Sequence, residues 1–279
     1  MGAPDRYLVI GNPVAHSRSP QIHAAFAAQT GQAMTYERLL LPLDGFAAGV
    51  HALIASGARG ANVTLPFKLD AHAIATTLSE RACAAGAVNT LQFDGAHIYG
   101  DNTDGVGLVT DIMANAGVAL RDKRILLLGA GGAARGALLP LLEQRPAQLI
   151  IANRSADRAF ALAAQFARFD ALEAAEFAVL KGSFDVIINA TAASLADVLP
   201  PVPAQSFSPA TLAYDMMYAA QPTVFLRFAA QRGAATRDGL GMLVEQAAEA
   251  FHLWRGVRPL TAPVLDDLRR TLQTPAATL

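Results

Sequence analysis

Along this chain short apolar runs alternate with stretches of helical spacing, the pattern of strands separated by helices. Residues 6–10 read as a strand, followed by the polar loop Gly11-Asn12-Pro13-Val14-Ala15-His16-Ser17-Arg18-Ser19-Pro20. Pro20 opens a helix at its first position with Ser19 as cap, running to about Gln29. Met34 to Leu41 reads as a strand, Asp44 to Ala55 as a helix, and Gly60 to Val63 as a strand that leads into Thr64-Leu65-Pro66-Phe67-Lys68. Helices start near Phe67 and at Ser79, and short strands Asn89 to Phe93 and Ile98 to Gly100 flank the Asp94-Gly95 turn. Asp101-Asn102-Thr103-Asp104-Gly105 then opens a helix to about Ala116.

Residues 123–136 are the most informative run. Ile125 to Leu128 make a strand suited to burial on both faces, ending on Gly129-x-Gly131-x-x-Ala134. In such a fingerprint the first glycine makes the tight turn, and the second lets the backbone approach a pyrophosphate. Ala134 is small enough for the next helix, roughly 132–142, to lie against the strand with its N-terminal amides toward the phosphates. Gln148 to Asn153 supplies the next strand and completes a βαβ unit. Where an NAD-binding domain carries an acid for the ribose hydroxyl, the strand ends in Asn153-Arg154-Ser155, with Arg158 beyond. Two guanidiniums suit a 2′-phosphate, which favours NADP over NAD. The same residues also read as a solvated helix start capped by Ser155, with Arg158 on its surface.

Beyond this unit a helix covers roughly 155–168. Strand Asp185 to Asn189 ends in Ala190-Thr191-Ala192-Ala193-Ser194, and Leu212 to Tyr214 ends in Asp215-Met216-Met217-Tyr218. Helix Thr223 to Gln231 and a strand near Ala235 complete an open α/β sheet, whose ligands sit beyond the carboxyl ends of the strands. Helices at about 240–254 and 262–273 return to the first domain. The pattern predicts two α/β domains: a discontinuous substrate-binding domain over 1–104 plus 240–279, and an inserted Rossmann-type dinucleotide-binding domain over 105–239.

Composition narrows the function. With 279 residues, 53% hydrophobic and 16% charged, the chain buries large cores and is not disordered. A net charge of −1 without a Lys/Arg run argues against nucleic acid or an anionic membrane as partner. Asp5 and Arg6 interrupt any secretory segment, and the longest apolar run contains Arg135, Pro140 and the glycine loop, so a cytoplasmic protein is expected. The single cysteine, Cys83, fits a reducing compartment and reads as a small core residue. The six histidines lack metal-ligand spacing, so no metal is expected.

Lys68 and Asp104 each sit at a strand-to-helix junction after a polar Asn/Thr segment. A dehydrogenase must exchange a proton with the substrate oxygen as hydride moves to or from a nicotinamide. A lysine does this when burial lowers its pKa, and a neighbouring carboxylate orients the amine. Taken singly, both residues also read as ordinary charged helix starts. Ser17 and Ser19, before a helix N-terminus, suit a carboxylate or simple loop hydrogen bonding. Asn62, Thr64, Asn89 and Asn102 suit a polyhydroxylated ligand or turns.

Together these segments resemble the shikimate/quinate dehydrogenase family, in particular its NADP-dependent shikimate dehydrogenases. The matching runs are 11–20, Asn-Val-Thr-Leu-Pro-Phe-Lys at 62–68, Gly-Ala-Val-Asn-Thr at 86–90 and Gly-Asp-Asn-Thr-Asp-Gly at 100–105. Further runs are Gly-Ala-Gly-Gly-Ala-Ala-Arg-Gly at 129–136, Asn-Arg-Ser at 153–155, Tyr-Asp-Met-Met-Tyr at 214–218, and 238–254. The resemblance implies NADP-linked interconversion of 3-dehydroshikimate and shikimate on the way to aromatic amino acids, by a monomer or homodimer. It implies that Ser17 and Ser19 bind the ring carboxylate. Thr64, Asn89, Asp104 and Gln246 would hold ring hydroxyls, with Asn62 and Tyr218 at the pocket edge. Lys68 would transfer the proton, with Asp104 as its partner. Gly129, Ala130, Gly131, Gly132 and Ala133 would take the pyrophosphate, and Asn153, Arg154, Ser155 and Arg158 the 2′-phosphate end. Thr191, Met216, Gly239 and Met242 would approach the adenosine or nicotinamide half, and Glu80 matches a position in the cofactor region.

Phe251 and Trp254 read as helix-face packing. After Asn189-Ala-Thr the family's Ser- and Gly-rich turn is replaced by Ala192-Ala193-Ser194-Leu195-Ala196-Asp197, which restricts positive φ there. Two other readings stay open: a quinate/shikimate dehydrogenase using NAD or both cofactors, and a non-catalytic NADP-responsive relative.

Overall fold

The computed structural model describes residues 3–273. The chain forms two compact units. Among the described residues the first comprises those up to Gly107 with Val244–Asp266, and the second Leu108–Leu243 with 267–273.

The first unit contains β1 (Asp5–Gly11), α1 (Ser19–Thr30), β2 (Met34–Leu40), α2 (Phe46–Ala55), β3 (Ala58–Val63) and α3 (Lys68–Ile74). These are followed by β4 (Thr77–Leu78), α4 (Glu80–Ala85), β5 (Thr90–Asp94), β6 (His97–Asp101) and the start of α5 (Asp104–Thr110). Its six strands are ordered β2-β1-β3-β5-β6-β4. β1 pairs in parallel with β2 and β3, whereas β5 runs antiparallel to both β3 and β6. Leu8, Ile10, Val63, Phe67, Leu91 and Val88 fill one core. Tyr7, Ala250 and Trp254 fill another, with Trp254 donating its indole N–H to the Leu91 carbonyl at 3.0 Å. Phe251 is fully buried, so Phe251 and Trp254 do pack.

The second unit continues α5 as a π-helical turn over Asp111–Asn115. Then come β7 (Arg124–Leu128), α6 (Gly132–Glu143), β8 (Gln148–Ala152), α7 (Ala156–Ala164) and β9 (Leu172–Ala175). They are followed by β10 (Val186–Asn189), β11 (Leu212–Asp215), α8 (Val224–Ala230), β12 (Ala235–Asp238) and the start of α9 (Leu240–Arg255), which runs on in the first unit from Val244; α10 (Ala262–Gln273) begins in the first unit and enters the second at Asp267. The sheet is parallel throughout, in the order β12-β11-β10-β7-β8-β9. Its central strands are apolar runs with no exposed side, as helices on both faces require: Ile125 to Leu128 and Val186 to Ile188 are all fully buried. The strand order reverses beside β7, the switch point at which doubly wound sheets take their ligand.

Several expectations change. Cys83 is exposed, because α4 buries Ala82 and Ala85 and turns position 83 outward. The helix after β8 ends at Ala164 rather than 168, and β4 and β9 are additional edge strands. α10 does not return wholly to the first unit. From Asp267 it belongs with the second, where Arg269 forms a bidentate ion pair with Asp238 at the end of β12. Residues 1–2 and 274–279, which the sequence reading put in the first domain, lie outside the described residues.

One buried group in the first unit makes its stability pH-dependent. His23 is fully buried against Tyr36, Phe26, Phe251 and Trp254. Burial pushes its pKa down to about 3, with Asn62 opposing, so the folded ring stays neutral. The unfolded chain takes up this proton first. His23 therefore contributes stability that is complete above about pH 6.5 and declines as pH falls from there toward 3, by about 1.4 kcal/mol per unit. Against its burial, the Arg81 guanidinium holds Asp101 below the usual carboxylate range, so stability from that carboxylate is lost only near and below pH 4. Urea unfolding between pH 7 and 4.5 should thus show a falling midpoint, and His23→Phe should flatten the fall. Parallel slopes for the two proteins would contradict the assignment.

Candidate active site

In the first unit, the ends of β3 and β6 bring two charged side chains together. The Thr64–Phe67 turn after β3 delivers Lys68 as the first residue of α3. Asn102 and Thr103 after β6 deliver Asp104 as the first residue of α5. The Asn89 backbone joins the two chain ends, accepting from Val63 N at 2.8 Å and donating to the Asp101 carbonyl at 3.0 Å. Across this junction Lys68 Nζ donates to Asp104 Oδ2 at 2.5 Å. Asn89 Nδ2 donates to the other carboxylate oxygen at 2.8 Å. The side chains of Lys68 and Asp104 are 29% and 17% exposed, enough for a ligand atom to reach the amine. Beneath them Asn102 is buried, accepting from Asp104 N and donating to the Ala87 carbonyl. Its role is in the turn.

Asn89 is itself buried, and its amide is heavily engaged. Its oxygen accepts from Thr103 N at 2.8 Å and from the Thr90 hydroxyl at 2.9 Å, and its nitrogen also reaches Thr103 Oγ1 and Gln246 Oε1. These partners make Asn89 the holder of Asp104. Gln246, half-buried on α9, also accepts from Thr103 Oγ1 at 3.3 Å and so borders the same cluster.

Ser17 and Ser19 stand side by side, the Ser17 hydroxyl donating to Ser19 Oγ at 3.2 Å. Ser19 is not the cap of α1, as the sequence suggested: it is the first helical residue, and Arg18 occupies the cap position without a side-chain bond. Arg38 donates twice to the Ser17 carbonyl, at 3.0 and 2.6 Å, and pins the loop. Asn62 is buried on β3, bonded to Tyr36, Thr90 and the Asn89 carbonyl. Thr64 is half-buried, and its methyl leaves no room for a side chain at Gly11, whose Cβ would lie 2.5 Å away. Glu80 is exposed at the start of α4, in the first unit, apart in sequence from the other cofactor candidates.

In the second unit, Gly129 has φ of +110°, a conformation side chains rarely adopt, and its backbone lies against Thr191 and Ala190. Beside it, Gly131 and Gly132 are exposed, and a Cβ at either would meet nothing within 4 Å. α6 starts at Gly132 with no side-chain cap, which leaves its first amides for an anion. Ala130 and Ala133 are half-buried in the same turn. Ala134 is fully buried under the helix. At the end of β8, Asn153 Nδ2 holds the Ser155 carbonyl at 2.9 Å, and Arg154 and Arg158 are exposed. Ser155 occupies the cap position of α7 without capping through its side chain, and Asp157 lies in the first turn. An open glycine turn, a free helix start and two exposed guanidiniums at the neighbouring strand end fit a dinucleotide carrying a 2′-phosphate.

The ends of β10 and β11 are organised by Asp215, which the sequence reading had not singled out. Fully buried, it accepts from Asn189 Nδ2, the hydroxyls of Ser194 and Thr223, and Met217 N, at 2.6–3.2 Å. Asn189 in turn accepts from the Thr191 hydroxyl at 2.7 Å. The glycine-poor segment 192–197 forms a 3-10 turn over Ala193–Ala196, and the left-handed position falls on Asp197, at φ 51°. Aspartate tolerates that conformation, so the turn closes without glycine. Met216 is buried, and Gly239 packs so tightly on its carbonyl that a Cβ would lie 2.1 Å from the oxygen. Met242 and Tyr218 are half-buried, both in this second unit. Among the described residues, no group of three or more His, Cys, Asp or Glu could hold a metal ion.

A Rossmann-type parallel sheet with an open phosphate turn, and a second α/β unit carrying a lysine–carboxylate pair, define the class of two-domain dinucleotide-linked dehydrogenases. Comparison narrows this. Residues 9–91 match the shikimate dehydrogenase substrate binding domain, 111–199 the shikimate/quinate 5-dehydrogenase domain, and 239–269 the shikimate 5′-dehydrogenase C-terminal domain. Shikimate dehydrogenase (NADP(+)) of Herminiimonas arsenicoxydans is 64% identical over 268 residues, 96% of this chain and 98% of its own. The crystal structure of an Ael1 enzyme from Pseudomonas putida has a TM-score of 0.92 at 47% identity, covering 97% of this chain and 99% of that one. Shikimate 5-dehydrogenase from Thermus thermophilus, solved with NADP(H) and shikimate, has a TM-score of 0.86 at 34% identity, covering 96% of this chain and 100% of that one. The chain belongs to the shikimate dehydrogenase family.

Proposed function

We propose that the protein catalyses the reversible NADPH-dependent reduction of 3-dehydroshikimate to shikimate, a step in making chorismate and the aromatic amino acids. The observation that carries this reading is the Lys68–Asp104 hydrogen bond of 2.5 Å at the junction held by Asn89, in a chain of this family. Ser17 and Ser19 receive the ring carboxylate. Thr64, Asn89, Asp104 and Gln246 meet ring hydroxyls, and Asn62 and Tyr218 are further candidates for the substrate. When bound, NADPH supplies the hydride. Lys68 gives a proton to the ring oxygen in reduction and takes it back in oxidation, and Asp104 holds the amine for that transfer. The turn Gly129 to Ala133 receives the pyrophosphate. Asn153, Arg154, Ser155 and Arg158 receive the 2′-phosphate, while Thr191, Met216, Gly239 and Met242 flank the rest of the dinucleotide. A biosynthetic step of this kind places the enzyme in the cytoplasm. Among the described residues no helix is long and apolar enough to cross a membrane.

Consumption of NADPH by purified protein on addition of 3-dehydroshikimate tests the reading, and no consumption would refute it. Arg154→Ala should raise KM for NADPH by at least about tenfold and leave NADH nearly unaffected, because only the former has a phosphate to grip. Equal losses for the two cofactors would count against the clamp.

A further inference from the structure

One face of the edge strand β2 serves the region assigned to substrate. Residues two apart on a strand share a face, so Tyr36 and Arg38 point the same way. Arg38 holds the Ser17 carbonyl, as described above. The Tyr36 hydroxyl donates to Asn62 Oδ1 at 2.6 Å. Asn62 then spends its amide protons on Thr90 Oγ1 at 3.0 Å and the Asn89 carbonyl at 3.3 Å. With both donors used inside the protein, the oxygen is the only group of this amide left to meet a ligand. Behind Tyr36, His23 stacks face to face at 4.2 Å and 7°. His23 makes no hydrogen bond of ordinary geometry among the described residues, its one polar interaction being with the same Asn62 side chain, and it packs on the phenol.

Resting on the substrate reading above, we infer that Tyr36 is a positioning residue for substrate recognition. By holding the Asn62 amide in one orientation, it makes Asn62 an acceptor that selects a ring hydroxyl over a ring carbonyl or ether oxygen at that place. The phenol is suited to this constant task. Burial pushes its pKa well above the ordinary value, with the Ser19 hydroxyl opposing, so it remains a donor throughout the working pH range. Ser19 beside the phenol also ties the two-serine loop to β3 through the same group.

Tyr36→Phe keeps the ring on His23 and removes only the oxygen. In steady-state assays with shikimate and NADP, KM for shikimate should rise by about tenfold, the worth of one hydrogen bond. The value of kcat and the KM for NADP should stay within about twofold. Asn62→Ala, run alongside, should raise the shikimate KM at least as far. A shikimate KM unchanged in Tyr36→Phe but raised in Asn62→Ala would overturn the positioning role alone. If Asn62→Ala also left KM unchanged, the assignment of Asn62 to substrate would fail, and the inference with it. Loss of kcat, cofactor affinity and thermal midpoint together in Tyr36→Phe would make the tyrosine merely structural and overturn the inference.

Discussion

Lys68→Ala should lower kcat for shikimate oxidation by at least about two orders of magnitude while NADP binding stays near that of the parent. General acid–base catalysis by a positioned side chain is worth roughly 10²–10⁴ in rate. The amine's ion-pair partner is Asp104, which retains its bond from Asn89 when the lysine is removed. The fold should therefore survive. Lys68→Arg sharpens the test: a guanidinium can pair with Asp104 but does not release its proton, so it should restore the ion pair without restoring turnover. Asp104→Asn should fall between, since its amide keeps the shape but no longer holds an ammonium. Turnover undiminished in Lys68→Ala would remove the lysine from the chemistry. Restored turnover in Lys68→Arg would reduce its role to charge.

The second large effect is on stability and lies in the second unit. Asp111, in the π-helical turn, is fully buried. It accepts from Arg237 Nε and Nη2 at 2.7 and 2.6 Å, from the Tyr214 hydroxyl at 2.7 Å and from Asn115 at 2.9 Å. Gly241, in the first turn of α9, leaves room for this carboxylate: a Cβ there would lie 1.9 Å from Asp111 Oδ1. In an open helix, Gly→Ala gains up to about 1 kcal/mol. Here the methyl displaces a buried, paired charge, and breaking such a pair costs about 3–5 kcal/mol. The second effect wins, so Gly241→Ala should lower the unfolding free energy by several kcal/mol. In the double variant Asp111→Ala with Gly241→Ala the clash is gone, and its loss should be well below the sum of the two single losses. Additive losses in chemical denaturation would contradict the packing argument.

Much of this was legible from the chain, for physical reasons that differ by element. The Rossmann unit could be read because its strands are buried on both faces and so spell continuous apolar runs, and because the turn demands glycine at 129. The serine loop and the 62–68 and 100–105 segments were legible through family resemblance, and the latter two do converge on one junction in the first unit. The misses share a cause: they depend on contacts made across the fold. β9, Leu-Glu-Ala-Ala, has weak strand propensity and forms by pairing with β8 at the sheet edge. Ser19 read as a cap because serine before a helix usually is one, yet it is already the first helical residue and its oxygen accepts from the Ser17 hydroxyl. Cys83 looked internal because its stretch is apolar, whereas helical phase turned it to solvent. For Asn89, whose residue type suits a ligand or a turn, the structure adds its bonds to Thr103, Thr90 and Asp104. Asp111, Asp215 and Tyr36 gave no periodic signal at all; each is identified by what it holds.

The most direct measurement is the initial rate of nicotinamide reduction by the unmodified protein with four pairs: shikimate or quinate, each with NADP or NAD. The account predicts fast reduction with shikimate and NADP, and rates lower by at least about tenfold for the other three pairs. No reduction with shikimate and NADP, or a faster rate with quinate and NAD, would contradict it.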